Sequence, residues 1–252
     1  DAVPGRREAR ASKPGTASPA TTLVDRWILG CLQEVIEECR AAYAAYEFHK
    51  VYHTLNQFCA VDLSSLYVDI TKDRMYCDAP DSPRRRSTQM AMHQIFDALC
   101  RLLAPILAFT AEEAWGYLGR NGSVHLQLFP EPQGNLRDAV VRENIEKLLQ
   151  LRGVIGQAIE KARQEKLIGN ALEAAVVLRC DERFATSIPR EELEEFFILS
   201  DLKIEPAEEP GASVTLTPNK KCARCWRHRE AVGTIAAHPD LCERCAAVVE
   251  SR

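Results

Sequence analysis

A mainly α protein with a small α+β unit and a C-terminal zinc ribbon is what this sequence of 252 residues predicts. Three observations point there. Apolar residues recur at three- and four-residue steps through residues 23–118 and again through 137–167, the period of a helix face. Short β-prone runs follow at 174–178, 203–205 and 214–217. Last come two C-x2-C pairs, Cys222 with Cys225 and Cys242 with Cys245.

Residues 1–22 hold Pro4, Gly5, Pro14, Gly15 and Pro19 among small and polar residues, with almost nothing apolar to offset the entropy of ordering, and read as a disordered tail. From Leu23 a long amphipathic helix carries Trp27, Ile28, Cys31, Val35, Cys39, Tyr43 and Tyr46 on one face. A second, with Val51, Tyr52, Leu55, Phe58, Cys59, Leu66, Tyr67 and Ile70 inside, ends where Pro80 and Pro83 interrupt it. A third starts near Arg86, buries Met92, Ile95, Phe96, Leu99, Leu102 and Leu103, and is broken by Pro105. Thr110 and Glu113 then have the spacing of a capping box for a short helix with Trp115 and Leu118. These helices make the bundle, 23–135, which ends in a Gly- and Pro-rich loop with a short alternating stretch at 125–129.

The next unit, 136–218, opens with a helix over 137–167 bearing Ile145, Leu148, Val154, Ile155, Ala158, Ile159 and Ala162, with Gly169 placed as its C-terminal cap. A strand at 174–178, a helix at 189–199 opened by proline, and two further strands complete it. The ribbon is 219–252, and no internal repeat is present.

The formal charge of -4 excludes a protein that holds nucleic acid through its overall field, so any such contact must be local. No run of about 18 apolar residues exists to cross a membrane, and no secretory signal opens the sequence, so a soluble, cytoplasmic protein with no membrane partner is expected. Six of the ten cysteines (Cys31, Cys39, Cys59, Cys77, Cys100, Cys180) stand singly, mostly among apolar helical residues, as small core groups do.

The other four have the chemistry of a closed zinc site. Each C-x2-C turn aims two thiolates at one metal, and two turns complete the tetrahedron zinc accepts at about 2.3 Å per sulfur. Four protein ligands leave no open position, so the zinc expected is structural, one per chain. Two disulfides or redox pairs are the alternatives; a cytosolic chain disfavours the first and the lack of a flanking βαβ pattern the second. His228 and His238 lie between the knuckles and could each stand in for a thiol. The ribbon's seven Lys and Arg face four acidic residues, a surplus that the negative charge of a zinc-tetrathiolate centre reduces to one. Arrangement therefore matters more than sum. Arg224 inside the first knuckle and Trp226 after it could offer a guanidinium and an indole to an unstacked base, although Trp226 could instead merely pack on the ribbon.

The chain resembles the C-terminal part of a bacterial isoleucyl-tRNA synthetase, a class I aminoacyl-tRNA ligase. The resemblance rests on Asp25-Arg26-Trp27-Ile28-Leu29, Lys72-Asp73-Arg74-Met75-Tyr76, Leu103-Ala104-Pro105-Ile106-Leu107 with Phe109-Thr110-Ala111-Glu112-Glu113-Ala114-Trp115, residues 165–174 from Glu165 through Gly169 and Asn170 to Ala174, and Lys221-Cys222-Ala223-Arg224-Cys225-Trp226 with His238-Pro239-Asp240-Leu241-Cys242. It implies an anticodon-binding bundle, a junction domain and a zinc domain closing on the anticodon end of an isoleucine-specific tRNA. It also implies anticodon contacts from Arg224 and Trp226, with Lys221 and Arg227 beside them as candidate RNA contacts. The H-x-G-H and K-M-S-K-S elements with which such enzymes use ATP are not in this sequence, so ATP belongs only to a catalytic half lying elsewhere. The expectation is a monomeric fragment or free-standing tRNA-binding product, inactive alone, with the catalytic half separately encoded as one arrangement.

Two other functions compete. A formamidopyrimidine-type DNA glycosylase ends in a ribbon of the same spacing, but needs an N-terminal proline with a glutamate beside it, and this sequence reads Asp1-Ala2. A protein-interaction adaptor is the third reading. Arg84-Arg85-Arg86 could track an RNA backbone or form a solvated face. The pairs Glu112-Glu113 and Glu191-Glu192 fall in first turns of helices, where the dipole favours them, and no acid-base catalyst is expected.

Overall fold

The computed structural model describes residues 22–251. The tail expected over 1–22 lies outside them except for Thr22, which belongs to the fold: its buried Oγ1 accepts the Asp25 N–H at 3.3 Å and caps the first helix, α1 (Leu23–Ala44). α1 turns Val24, Ile28, Leu32, Val35 and Cys39 inward. It closes with Tyr46 in the left-handed region at φ 58° and the Glu47 N–H on the Ala42 carbonyl at 2.8 Å. That cap turns Tyr46, expected on the inner face, out to solvent.

The second expected helix is one continuous rod in three parts: α2 (Phe48–Gln57), a wider π-helical stretch (Phe58–Val68) and α3 (Asp69–Cys77). Within the wide stretch Ser65 Oγ donates to the Val61 carbonyl at 2.7 Å, a bond that competes with the α-helical ladder. Val51, Leu55 and Phe58 set the inner stripe, and Tyr52, one residue or about 100° off it, is exposed.

α4 (Pro83–Leu103) starts with proline at its first position and stops before Pro105. α5 (Ala108–Gly116) starts two residues ahead of Thr110, so Thr110 lies within its first turn and the expected capping box does not form. Glu112 and Glu113, the expected dipole partners, lie beyond the first turn of α5; Glu112 Oε2 instead accepts Ser123 Oγ at 2.8 Å and the Val124 N–H at 2.9 Å, tying the following loop back to the helix. In that loop a single 3-10 turn (Val124–Leu126) replaces the alternating stretch. Phe129 then stacks on Tyr43 of α1 with centroids 4.8 Å apart.

α6 (Ala139–Gln164), capped by Asp138 on the N–H groups of Val140 and Val141, ends on a left-handed Lys166 with the Leu167 N–H on the Ala162 carbonyl at 2.9 Å. The cap is therefore Lys166, and Gly169 instead donates its N–H to Glu173 Oε2 at 2.7 Å. The three-stranded sheet has β1 (Ala174–Cys180) in the middle, parallel to β2 (Asp201–Pro206) and antiparallel to β3 (Gly211–Leu216), with Val176 opposite Leu202 and Val214. Two short helices, α7 (Glu182–Thr186) and α8 (Arg190–Phe196), make the crossover between the parallel strands. One cluster of buried side chains runs from Val24 through Ile145 and Val176 to Leu202, so the bundle and the α+β unit share a core.

Inside that core is a charged knot. Arg74 of α3 is 1% exposed; its Nε donates to Glu195 Oε1 of α8 at 2.9 Å and its Nη2 to the other oxygen of the same carboxylate. Its Nη1 reaches Thr22 Oγ1 at 2.9 Å, Thr88 Oγ1 at 3.0 Å and Asp25 Oδ2 at 3.4 Å. Asp25, fully buried, also accepts Tyr67 Oη at 2.7 Å and Ser87 Oγ at 2.6 Å. Burial alone would draw the Arg74 guanidinium down, but Glu195 and then Asp25 hold it above its ordinary value; burial and Asp25 push the Tyr67 phenol well up. Arg74→Ala would strand two buried carboxylates, and a loss of about 3–5 kcal/mol in urea unfolding is expected. A loss under about 1 kcal/mol would mean that the carboxylates find water once the arginine is gone.

Candidate metal centre and nucleic-acid interface

The ribbon is built from two short antiparallel strands, β4 (Lys220–Lys221) and β5 (His228–Arg229), and a helix, α9 (Glu243–Glu250). The first knuckle closes through the Cys222 N–H on the Arg227 carbonyl at 2.9 Å and the Trp226 N–H on the Cys222 carbonyl at 3.0 Å. The second lies where α9 starts, with the Cys242 N–H on Cys222 Sγ at 3.3 Å. The sulfurs of Cys222, Cys225, Cys242 and Cys245 all fall within 4.8 Å of one another, and Cys225 and Cys242 are 3.8 Å apart. A tetrahedron of sulfurs about 2.3 Å from a central metal has edges of about 3.8 Å, so the four thiols fit zinc. The thiols are unpaired by disulfides, and hydrogen bonds from Cys225 and then Cys245 draw the Cys242 thiol far down. His228 Nδ1 lies 2.8 Å from the Asn219 carbonyl and His238 Nε2 lies 3.6 Å from Glu250, so neither histidine joins the sulfurs.

The ribbon's own core is small, with Val232, Leu241 and Ala246 packed on three of the cysteines, and its arginines fasten it to the rest of the molecule. Arg244, inside the second knuckle, places both Nη atoms on the Asp73 carboxylate of α3 at 2.7 and 2.8 Å and reaches Asp78 at 3.2 Å. Burial would raise the Asp73 carboxyl, but Arg244 and then Arg227 hold it below the usual carboxylate range. Arg224 occupies the same place in the first knuckle and also points inward. Its Nη1 donates to the Cys77 carbonyl at 2.5 Å and to Cys245 Sγ at 3.5 Å, and its Nη2 to the Tyr76 carbonyl at 3.3 Å, so it satisfies the C-terminal end of α3.

The structure therefore separates the residues expected to meet RNA. Arg227 is buried at 7% exposure, with Nη1 on the Leu199 carbonyl at 2.7 Å and Nε 3.5 Å from Asp73; it is a fastening between three units, not a surface contact. Arg224 is half-buried and spent on α3. Trp226 and Lys221 remain outside, and together: Trp226 is 62% exposed, with Lys221 Nζ 5.2 Å from its ring centroid. Two of the three arginines at 84–86 are similarly absorbed, Arg84 on the Asp78 carboxylate at 2.5 and 2.8 Å and Arg85 on the Asp78 carbonyl at 2.8 Å, while Arg86 is exposed with Nη1 on Gln89 Oε1 at 3.3 Å.

Trp226 is also strained. It stands at φ 66°, a left-handed conformation that costs an L-residue about 1–2 kcal/mol and that glycine adopts freely. The indole overhangs a groove of about 380 Å³, lined as well by Asn170, Ala171, Leu172, Lys221 and His228. Tyr46 takes the same conformation simply to close α1, so at Trp226 it is the strain together with the exposed indole, Lys221 and the groove that points to a use other than folding. Sequence reasoning missed the fastening role of Arg244 and Asp73, although the matching position of arginine in C-A-R-C and C-E-R-C was a signal.

The sequence pattern described as the anticodon-binding domain of tRNA ligase matches residues 25–178, more than half of the chain. The chain belongs to this family of anticodon-binding domains. A second pattern, the zinc finger found in FPG and IleRS, matches residues 219–248 of the same anticodon-binding chain. That finger is common to both enzymes, so it is the match at 25–178 that separates the ligase from the glycosylase. Among curated relatives, the isoleucine–tRNA ligase of Symbiobacterium thermophilum is 43% identical over 251 residues, covering 90% of this chain and 27% of that protein. Those of Geobacter sulfurreducens and Syntrophotalea carbinolica are 40% and 38% identical over 244 residues, each covering 91% of this chain and 26% of the relative. The anticodon-binding chain thus spans about a quarter of the length of the relatives it matches. No helix among its described residues is long and apolar enough to cross a membrane.

Proposed function

We propose that this chain is the anticodon-reading part of an isoleucine–tRNA ligase, that its ribbon holds one structural zinc, and that Trp226 with Lys221 meets the anticodon of an isoleucine tRNA. The observation that carries the reading is the strained, exposed Trp226 with the Lys221 ammonium over its ring. An indole face stacks on any unpaired base, and the Lys221 ammonium, over the ring at 5.2 Å from its centroid, is near enough to meet an adjoining phosphate. Arg224 contributes at a remove, by fixing the knuckle that presents the indole. Activation of isoleucine with ATP belongs to the remaining three quarters of the ligase, in which this chain acts as one part of a monomeric enzyme in the cytoplasm. The curated relatives, of whose length this chain spans about a quarter, and the match to an anticodon-binding domain support that assignment.

Trp226→Ala should lower the affinity for isoleucine tRNA by about 1–3 kcal/mol, roughly five- to over a hundred-fold. Trp226→Gly should lose the same affinity while the ribbon keeps about one zinc and resists chelators at least as well as the parent, because the left-handed strain is relieved. Full affinity in both variants would remove the indole from recognition. The chain alone should give no isoleucine-dependent exchange of pyrophosphate into ATP; exchange above background would place the activation chemistry within these residues.

A further inference from the structure

The groove under Trp226 has a second wall that the ribbon does not supply. It is the 3-10 turn Ala171–Glu173, which falls in the 165–174 segment whose resemblance to the ligases carries no role in the zinc site. That turn is braced from several sides. The Asn170 side chain accepts the Leu172 N–H at 3.0 Å, and Glu173 Oε2 accepts the N–H groups of Gly169 at 2.7 Å and Asn170 at 3.4 Å. The Glu173 carbonyl takes the Thr217 N–H at 2.8 Å, which locks the turn to the end of β3. A Cβ at Gly169 would come 3.2 Å from Glu173 Oε2, so the glycine lets the carboxylate close over the turn.

The groove between this wall and the indole has the make-up of a site for a flat, largely apolar group. Its volume, about 380 Å³, lies in the range of small-ligand pockets. Ala171 and Leu172 of the turn line it together with Trp226, Lys221 and His228 of the ribbon. His228 has a defined hydrogen-bonding sense: the Asn219 carbonyl, 2.8 Å from Nδ1, can only accept, so Nδ1 carries the proton and Nε2 is left as an acceptor in the neutral ring.

We infer that one anticodon base is drawn into this groove, stacked between Trp226 and the Ala171–Leu172 turn, with His228 Nε2 accepting from its exocyclic amino group. This rests on the reading of the ribbon as an anticodon-binding surface and adds what that reading lacks, a residue that tells bases apart. Stacking alone is indifferent to base identity, whereas an acceptor at the base edge separates a base bearing an amino group from one without it. The junction turn and the ribbon read the base jointly, so the two units must be fastened to each other for recognition to occur.

The test uses the whole chain and the anticodon stem-loop of an isoleucine tRNA, with affinity followed by fluorescence anisotropy and zinc content measured on every protein. Ala171→Trp fills the groove from the side away from the metal and should weaken binding at least about tenfold with zinc retained. His228→Asn keeps a donor for the Asn219 carbonyl and takes away the acceptor at the Nε2 position, its own amide oxygen being held closer to the backbone. It should weaken binding about five- to tenfold and abolish the preference for an amino-bearing base at a single anticodon position. If Trp226→Ala weakens binding while Ala171→Trp and His228→Asn bind and discriminate as the parent does, the base lies on the outer face of the indole and the inference fails while the anticodon reading stands. If all three bind as the parent, the reading fails too. A groove-filling effect with unchanged discrimination in His228→Asn overturns the assignment of His228.

Discussion

The buried pairing of Arg74 with Asp25 and Glu195 is the constraint on which the rest of the arrangement depends. Three ionised groups removed from water are tolerated only because nearly every donor and acceptor among them is used: five oxygens of four residues surround the guanidinium and Asp25 also accepts from Tyr67, Ser87 and Thr88. Apolar packing would let α1, α3, α4 and α8 slide over one another by small amounts. A knot with this many directional bonds fixes them in one arrangement.

What α3 does next follows from that fixing. Asp73 precedes Arg74 in sequence and lies about 100° round the helix from it, where it takes Arg244 and Arg227 from the ribbon. The carbonyls of Tyr76 and Cys77 at the end of the same helix take Arg224. One short helix therefore grips the core with one residue and the zinc unit with its neighbours. The ribbon cannot orient itself through its own few core residues, and the four arginines that would have made it a basic surface, Arg224, Arg227, Arg229 and Arg244, are consumed in holding it. With those four arginines turned inward, Trp226 and Lys221 face outward together.

The metal centre was legible in the sequence because two C-x2-C turns constrain four sulfurs by covalent geometry alone, and the structure returns them at the spacing of a tetrahedron. The helices were legible because burial imposes a period, and Ile28, Leu55, Ile95 and Ile145 are all inside. The direction of an arginine was not. Nothing in Lys221-Cys222-Ala223-Arg224-Cys225-Trp226-Arg227 says which side of the knuckle meets protein, since that depends on where α3 ends, more than a hundred residues earlier in the chain. Helix ends failed for a related reason: α6 and α1 stop on Lys166 and Tyr46 in a conformation that glycine favours, held there by backbone bonds that no residue type announces. The same blindness to backbone conformation hid the strain at Trp226.

A ribbon that meets the anticodon must touch RNA through Trp226, and the three tryptophans of the chain differ enough to show it. Trp115 is buried against the Gly122 carbonyl and Trp27 is half-buried on α1, while Trp226 stands in solvent. Acrylamide quenching of tryptophan emission, recorded free and with saturating isoleucine tRNA anticodon stem-loop, reports the exposed indole most strongly. Loss of the readily quenched component on RNA binding, absent when Trp226 is replaced by phenylalanine, is the expected result. Saturated binding that leaves the quenching curve unchanged would contradict the claim that the ribbon meets the anticodon through Trp226.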